Sequence, residues 1–568
     1  MRINKFSTAV SICFLSLVMA LGYSQIIRRS YYRQLSENNR IRLLPQSARR
    51  GVIYDRNNKV LAADRLSFNL CIIPRELRSQ TISRLNKILG FSRKEIKKIL
   101  KKNTVTPFAP VVIIRDIDYS LVAAVEERST DLPGAVIQTC PLRHYPHRKS
   151  GAHVIGYLGK IRPDELEARK RYGYQFRDLV GRDGLERSFD VFLKGTDGGQ
   201  LAEIDSRGRI QRILSRKPPL KGNDLYLTLD LDLTKLARDL LKDNPGVIIV
   251  MDSATGGILT MVSSPAYNPN LFVDPQKSGQ RLKILRDKSY PLLNRAIGSQ
   301  YPPGSIFKIV TALVALETKK ISSSSRKFCN GKYKSGRRTF RCWKKDGHGS
   351  LNLEEAITYS CNVFFYHAGL KVGADGLARF ARYLGLGCRT GIELPGEIKG
   401  IVPDRKWKKS VYNKPWYEGE TLNLSIGQGY ISISPLQAVR MVSAVANRGI
   451  LSQPHLVKSS PLAKRGRKLN ISEGNFNVVR RGMFKGVSQE RGTSHRAYLP
   501  GVSIAAKTGT AQATRGKSHS WFLGFCPLNG QNISFVVFLE HGGYASQRAA
   551  EIAGKLIKGW KEISQNGA

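Results

Sequence analysis

The chain has 568 residues, 41% of them hydrophobic, and 92 lysines and arginines against 43 acidic residues give a formal charge of +49. That length excludes a single domain, and that hydrophobic content excludes a disordered or fibrous chain. The charge narrows the partners to anions: nucleic acid, an anionic membrane surface or a polyanionic substrate.

In chain order, the first element is an anchor. Residues 6–27 carry no charge and are flanked by Lys5 and by Arg28-Arg29. An uncharged, predominantly apolar run of this length suffices to span a bilayer. Ala20-Leu-Gly22 would suit a cleaved leader, but the run exceeds the usual leader core of about 7–15 residues. Residues 1–29 therefore read as a short inside tail and an uncleaved transmembrane helix, with the rest of the chain outside. Charge at both ends gives only weak orientation, so the topology rests on the shortness of the tail. An outside location argues against nucleic acid. It assigns the basicity to lipid headgroups, to an anionic wall or to a generally basic proteome.

Residues 30–220 read as a mainly β, mixed region. Residues 31–50 are polar and arginine-rich, and residues 50–62 read as strand, turn at Asn57-Asn58, strand. Residues 89–103 read as one basic amphipathic helix, with Ile96, Ile99 and Leu100 on one side. Its lysines face solvent or lipid headgroups. Residues 181–187 and 201–208 read as further turn-and-strand pieces. Pro218-Pro219 and Gly222 mark a boundary. Beyond it, 225–233 alternates like a strand and 234–243 reads as a helix. Residues 246–265 read as two strands joined by Ala254-Thr-Gly-Gly257.

Tyr301-Pro-Pro-Gly304 precedes Ser305-Ile-Phe-Lys308 and a strongly apolar run. The prolines place a helix start at Gly304–Ser305. Spacing i, i+3 puts Lys308 on the face of Ser305, where an amine can activate a hydroxyl, at the helix end that favours an oxyanion. Ser324-x-x-Lys327 has the same spacing but lies in a polar, serine-rich loop. Ser360-Cys-Asn362 follows 55 residues after Ser305, at a helix–loop junction. Lys507-Thr508-Gly509-Thr510 follows 147 residues later, at the end of a strand made by 501–506 and beside two more strand candidates. Other Lys-Ser-Gly and Ser-x-Asn triplets occur in polar contexts. Cys329-x12-Cys342-x5-His348-x12-Cys361 offers three sulfurs and one imidazole, a tetrahedral set for zinc; a Cys329–Cys342 disulfide is the alternative. Cys71, Cys140, Cys388 and Cys526 have no evident partner and read as core packing.

S-x-x-K, S-x-N and K-T-G in this order resemble the penicillin-binding acyl transferases, which include the serine β-lactamases. RGVIYDRNNKVLA, GRDGLE, MDSATGGILTMVSSPAYNPN, LLNRAIGSQYPPGSIFKIVTA and HSWFLGF extend the resemblance over nearly the whole chain after the anchor, to class B penicillin-binding proteins. The Cys/His insert is similar to that of the elongation-type members, some of which have a metal site at matching positions.

The resemblance implies an α+β multidomain fold. Its parts are an anchor (1–29), a non-catalytic pedestal like a dimerisation domain (30–220) and a β-lactamase-like transpeptidase domain (221–568) of antiparallel sheet and helices. It implies peptidoglycan stem peptides ending in D-Ala-D-Ala as substrate, β-lactams as inhibitors, and no catalytic cofactor beside a structural zinc. A SEDS-type glycosyltransferase and elongation-complex proteins are implied as partners. Ser305 would be the nucleophile and Lys308 its base, with a pKa lowered by burial beside Lys507. Ser360 would relay the proton and Asn362 hold the substrate amide. Lys507, Thr508 and Thr510 would bind the terminal carboxylate, and the Ser305 and Thr510 N–H groups would form the oxyanion hole. Gly427-Gln-Gly429 resembles a cleft segment, or is a plain glycine turn. The competing readings are a septal transpeptidase and a penicillin-sensing or silent scaffold protein.

Overall fold

The computed structural model describes residues 2–32, 41–89, 92–104, 107, 110–175, 178–204, 210–464, 466–528 and 530–566. Residues 33–40, part of the arginine-rich stretch, and 205–209, within the 201–208 piece, lie outside them.

Arg2–Gly22 is an α-helix that continues as a π turn over Tyr23–Ile27. The apolar segment Phe6–Ile27 is unburied, with a mean hydropathy of 1.9. At 1.5 Å per residue it is about 33 Å long, matching a hydrocarbon core of about 30 Å.

The pedestal is built on the hairpin expected at 50–62. Ile53–Tyr54 pairs antiparallel with Val60–Ile72, and Asn58 takes φ +62° in the turn. The long strand pairs in turn with Ala135–His144 and Val111–Ile114. A separate sheet joins Ile41–Gln46, Gly198–Ile204 and Ile210–Lys217.

Three sequence expectations need correction here. Residues 89–103 are not one helix: Ser79–Leu89 and Arg93–Asn103 are separate, because Ser92 caps the second through a reciprocal bond with Glu95. Ile96 is fully buried beside Leu70, Ile72 and Val111, which leaves the lysines outward. Residues 181–187 are not a turn and strand, since Gly184–Ser188 is a short helix. It delivers Glu186 to Arg50 and Arg143, at 2.7 Å each, in a buried cluster completed by Asp190 at 2.8 Å from Arg50. Residues 225–233 are mostly not strand either. Only Leu225–Tyr226 pairs, parallel to Ile53–Tyr54, and a helix begins at Leu231. The Asp230 side chain caps it, accepting from Asp232 and Leu233 N–H, so cap chemistry overrides the alternation.

Asp55 of the hairpin turn accepts from the Leu231 N–H at 3.1 Å, and Arg56 N–H donates to Leu229 O at 2.7 Å. The N-terminal region thus grips the first helix of the domain that follows it.

That domain centres on a five-stranded antiparallel sheet, ordered 258–264, 246–252, 531–539, 519–528, 505–511. Alternation along Gly246–Asp252 sends Ile248 and Val250 to the terminal helix Arg548–Asn566. It sends Val247, Ile249 and Met251 to the core holding Lys308–Glu317 and Pro435–Ala446. A sheet buried on both faces needs apolar residues at every position, hence the unbroken runs GVIIVM and SFVVFL.

Candidate active site

The sequence around Ser305 folds as a 3₁₀ turn, Gly304–Phe307, leading into the α-helix Lys308–Glu317. Trp521 Nε1 holds the turn by donating to Pro302 O at 2.9 Å. Two glycines let three segments converge. A Cβ on Gly427, whose φ is +74°, would lie 2.2 Å from Gly304 O; a Cβ on Gly509 would meet Ile306 Cγ2 at 2.8 Å. Gly304 N–H donates to Gly427 O at 2.8 Å, and Gln428 Nε2 reaches Thr510 O at 3.4 Å. Gly427-Gln-Gly429 therefore packs directly on the turn that bears Ser305 and on the Lys507 strand.

Ser360 ends the helix Leu353–Thr358 in the left-handed region, φ +53°. Cys361 N–H bonds back to Ala356 O and Ser360 N–H to Ile357 O, the paired closure of a Schellman turn. A residue with a Cβ at this position carries strain. The turn aims the Ser360 hydroxyl at two lysines. Lys507 Nζ donates to Ser360 Oγ at 2.8 Å and Lys308 Nζ to the same oxygen at 3.2 Å. Lys308 also donates to Ser360 O at 2.8 Å and to Asn362 Oδ1 at 2.7 Å.

Both lysines are fully buried, 0% and 1% exposed. Burial pushes the Lys308 ammonium down to about 8, against a smaller upward pull from the Cys342 and Cys361 thiols. Burial and, second, the nearby Lys308 charge push Lys507 well below the ordinary lysine range. Burial, as expected from the sequence, is the cause that lowers Lys308.

Ser305 Oγ has no hydrogen-bond partner among the described residues; Lys308 is held by Ser360 and Asn362 instead. Ser305 stays half-buried at the mouth of the cleft. Lys507 does not end a strand. Lys507-Thr-Gly-Thr510 lies inside Ala505–Ala511, paired with His519–Leu528, and 501–504 is outside it. Thr508 is buried, whereas Thr510 is half-buried and its Oγ1 accepts from Ala545 N–H at 3.3 Å. Sequence reasoning missed two supports. Arg341 O accepts from Asn362 Nδ2 at 3.2 Å, a backbone contact with no side-chain signal. Trp521 was visible within the family-like segment HSWFLGF, but not as a support of the Ser305 turn.

The four cluster residues Cys329, Cys342, His348 and Cys361 come together, their ligand atoms all within 4.8 Å of one another. His348 Nδ1 lies 3.7 Å from Cys329 Sγ and 3.5 Å from Cys342 Sγ. Tetrahedral zinc with bonds of about 2.3 Å to sulfur and 2.0 Å to nitrogen sets such separations at about 3.5 Å. All the cysteines are unbridged, and Asn362 N–H points at Cys342 Sγ from 3.4 Å. His348 Nε2 is buried with no partner.

A family model described as "Penicillin binding protein transpeptidase domain" matches residues 246–558. The chain belongs to the penicillin-binding protein transpeptidase family. A second model, "Penicillin-binding Protein dimerisation domain", matches 45–227, so both halves of this penicillin-binding protein have counterparts. It is 31% identical to the "Peptidoglycan D,D-transpeptidase MrdA" of Haemophilus influenzae, over 98% of this chain and 91% of that one. Penicillin-Binding Protein (PBP2) of Helicobacter pylori, solved in complex with MreC, is 30% identical; the match covers 92% of this chain and 100% of the other, with a TM-score of 0.83. A chain of a peptidoglycan synthase complex is also 30% identical, covering 99% and 98%, with a TM-score of 0.76.

Proposed function

We propose that the chain is a serine-type peptidoglycan D,D-transpeptidase of cell elongation, working through a Ser305 acyl-enzyme that β-lactams also form. The carrying observation is the convergence of two buried lysines, Lys308 and Lys507, on Ser360 Oγ beside Ser305. No ordinary core explains two desolvated ammonium groups sharing one hydroxyl.

Lys308, as the neutral amine, takes the Ser305 proton as Oγ attacks the carbonyl of the penultimate D-Ala of a stem peptide. The Ser305 and Thr510 N–H groups hold the oxyanion. Ser360 passes a proton to the leaving D-Ala amine, and Asn362 holds the substrate amide. Lys507, Thr508 and Thr510 receive the terminal carboxylate at Gly509, where the strand has no side chain. An amine of a second stem peptide then attacks the ester, forming the cross-link and returning the proton to Ser305. The chemistry needs no cofactor.

The division into anchor (1–29), pedestal (30–220) and catalytic domain (221–568) belongs to this reading. So does placement in the bacterial inner membrane with the catalytic domain outside, in partnership with a SEDS-type glycosyltransferase and elongation-complex proteins. The elongation role is preferred to a septal one because of the Cys/His cluster and the name of the Haemophilus influenzae relative. Cys329, Cys342, His348 and Cys361 would hold a structural zinc, which supplies bracing to the Ser360–Asn362 turn and no step of the reaction. Metal analysis of the purified protein should find about one zinc per chain; a metal-free protein with a mapped Cys329–Cys342 bridge would reverse that assignment.

Labelling with a fluorescent penicillin tests the whole reading. Wild type should label and Ser305→Ala should not; a folded wild type that stays unlabelled would sink it.

A further inference from the structure

The insert that carries the Cys/His cluster also carries a hairpin. Lys332–Ser335 pairs with Arg338–Arg341 around Gly336. Half of the fourteen residues 332–345 are lysine or arginine and none is acidic, against 92 basic residues in 568 for the chain. Alternation sorts the hairpin faces. Tyr333 and Phe340 pack on Tyr366, with ring centres at 6.0 and 5.8 Å. Lys332, Lys334 and Arg341 point the other way and are exposed. None of them has an ion-pair partner among the described residues. Lys332 sits directly across from Arg341, a like-charge pair that costs the hairpin stability. No acidic side chain among the described residues pairs with either of them.

The hairpin also belongs to the cleft wall. Arg341 O holds the Asn362 side chain, and Ser335 bonds Glu418 at the start of the helix Glu418–Ser425, which leads to Gly427. A cationic face placed there meets whatever lies along the cleft beyond the acyl site. We infer that Lys332, Lys334 and Arg341 form a subsite for the non-terminal carboxylates of an anionic peptide entering the cleft. This subsite is distinct from the one for the terminal carboxylate at Lys507. The inference rests on the transpeptidase reading above.

The test uses the detergent-solubilised full chain and competition against fluorescent-penicillin labelling. Two stem pentapeptides serve as probes, one with free non-terminal carboxylates and one with these as carboxamides; both keep the terminal carboxylate. Wild type should be protected better by the carboxylate peptide at low ionic strength, by about fivefold or more for three exposed charges, and the advantage should fade with salt. Lys332→Gln/Lys334→Gln should lose most of the advantage and its salt dependence while labelling normally without peptide. Lys332→Arg/Lys334→Arg should retain both. Should the glutamine variant fail to label, the wild-type comparison of the two peptides still decides. Equal protection by both peptides, or an unchanged advantage in the glutamine variant, overturns the inference. So does a glutamine variant altered only in binding to micelles containing anionic lipid, which would make the face a lipid contact. Absence of penicillin labelling in wild type would instead defeat the transpeptidase reading itself.

Discussion

At the scale of the residue, the proposed mechanism makes Lys308 the group that sets the pH dependence of acylation. Its downward displacement to about 8 means the neutral amine grows about tenfold per pH unit up to that value and then saturates. The penicillin acylation rate of the full chain should therefore rise from pH 6 to about 8 and level off; a rate already flat across that interval would reject Lys308 as base. Ser360 gives a second expectation. Its left-handed φ makes Gly the easier residue, so Ser360→Gly should keep or raise the melting temperature. Acylation should nevertheless fall by about 10²-fold or more as the proton path is lost. Loss of stability without loss of acylation would make Ser360 only a cap.

At the scale of the element, convergence depends on glycine. Gly427→Ala adds a Cβ 2.2 Å from Gly304 O at positive φ, and should destabilise by about 1–3 kcal/mol while displacing the Ser305 turn. Thermal melts and acylation rates read the two effects separately. Ser305, Lys308, Ser360, Asn362 and Lys507 were legible in the sequence because each motif is local: a proline-set helix start, a helix junction, a strand. The Cys/His cluster was legible as a ligand set, but its closeness to Asn362 required the fold. What failed were boundaries decided by capping. Ser92 splits one apparent helix in two, and Asp230 turns an alternating strand pattern into a helix start. Lys507 was placed at the end of a strand over 501–506; pairing of 505–511 with 519–528 holds it inside the sheet instead. The hydrogen bond that withdraws Lys308 from Ser305 towards Ser360 and Asn362 was not legible, since it spans 52 to 54 residues.

At the scale of the whole molecule, the pedestal is tied together by a buried charge cluster. Burial opposes the Glu186 charge, but Arg143 and Arg50 outweigh it and hold the carboxyl below its ordinary range. A depressed carboxylate stabilises the fold above its unfolded pKa, and that contribution is lost as pH falls through the folded one. Stability should thus decline below about pH 4.5. Glu186→Gln leaves two buried guanidiniums with less charge to answer them, and should cost about 3–5 kcal/mol. The loss should appear as a lower melting temperature of the whole chain, with acylation of the surviving folded fraction unchanged.

The strand order of the catalytic sheet also constrains how the protein is made. Strand 246–252 lies between its neighbour in sequence, 258–264, and the late strand 531–539. Emerging chain therefore holds an apolar hairpin with an open edge until about 270 further residues have arrived. Such distant pairing is slow to form. Lys507 and its strand join the sheet only through 519–528, itself docked on 531–539. An interrupted or clipped chain lacking its last forty residues would keep Ser305 but never assemble the pocket around it. The pocket is therefore completed only after strand 531–539 has docked, at the expense of a strand edge left exposed until then.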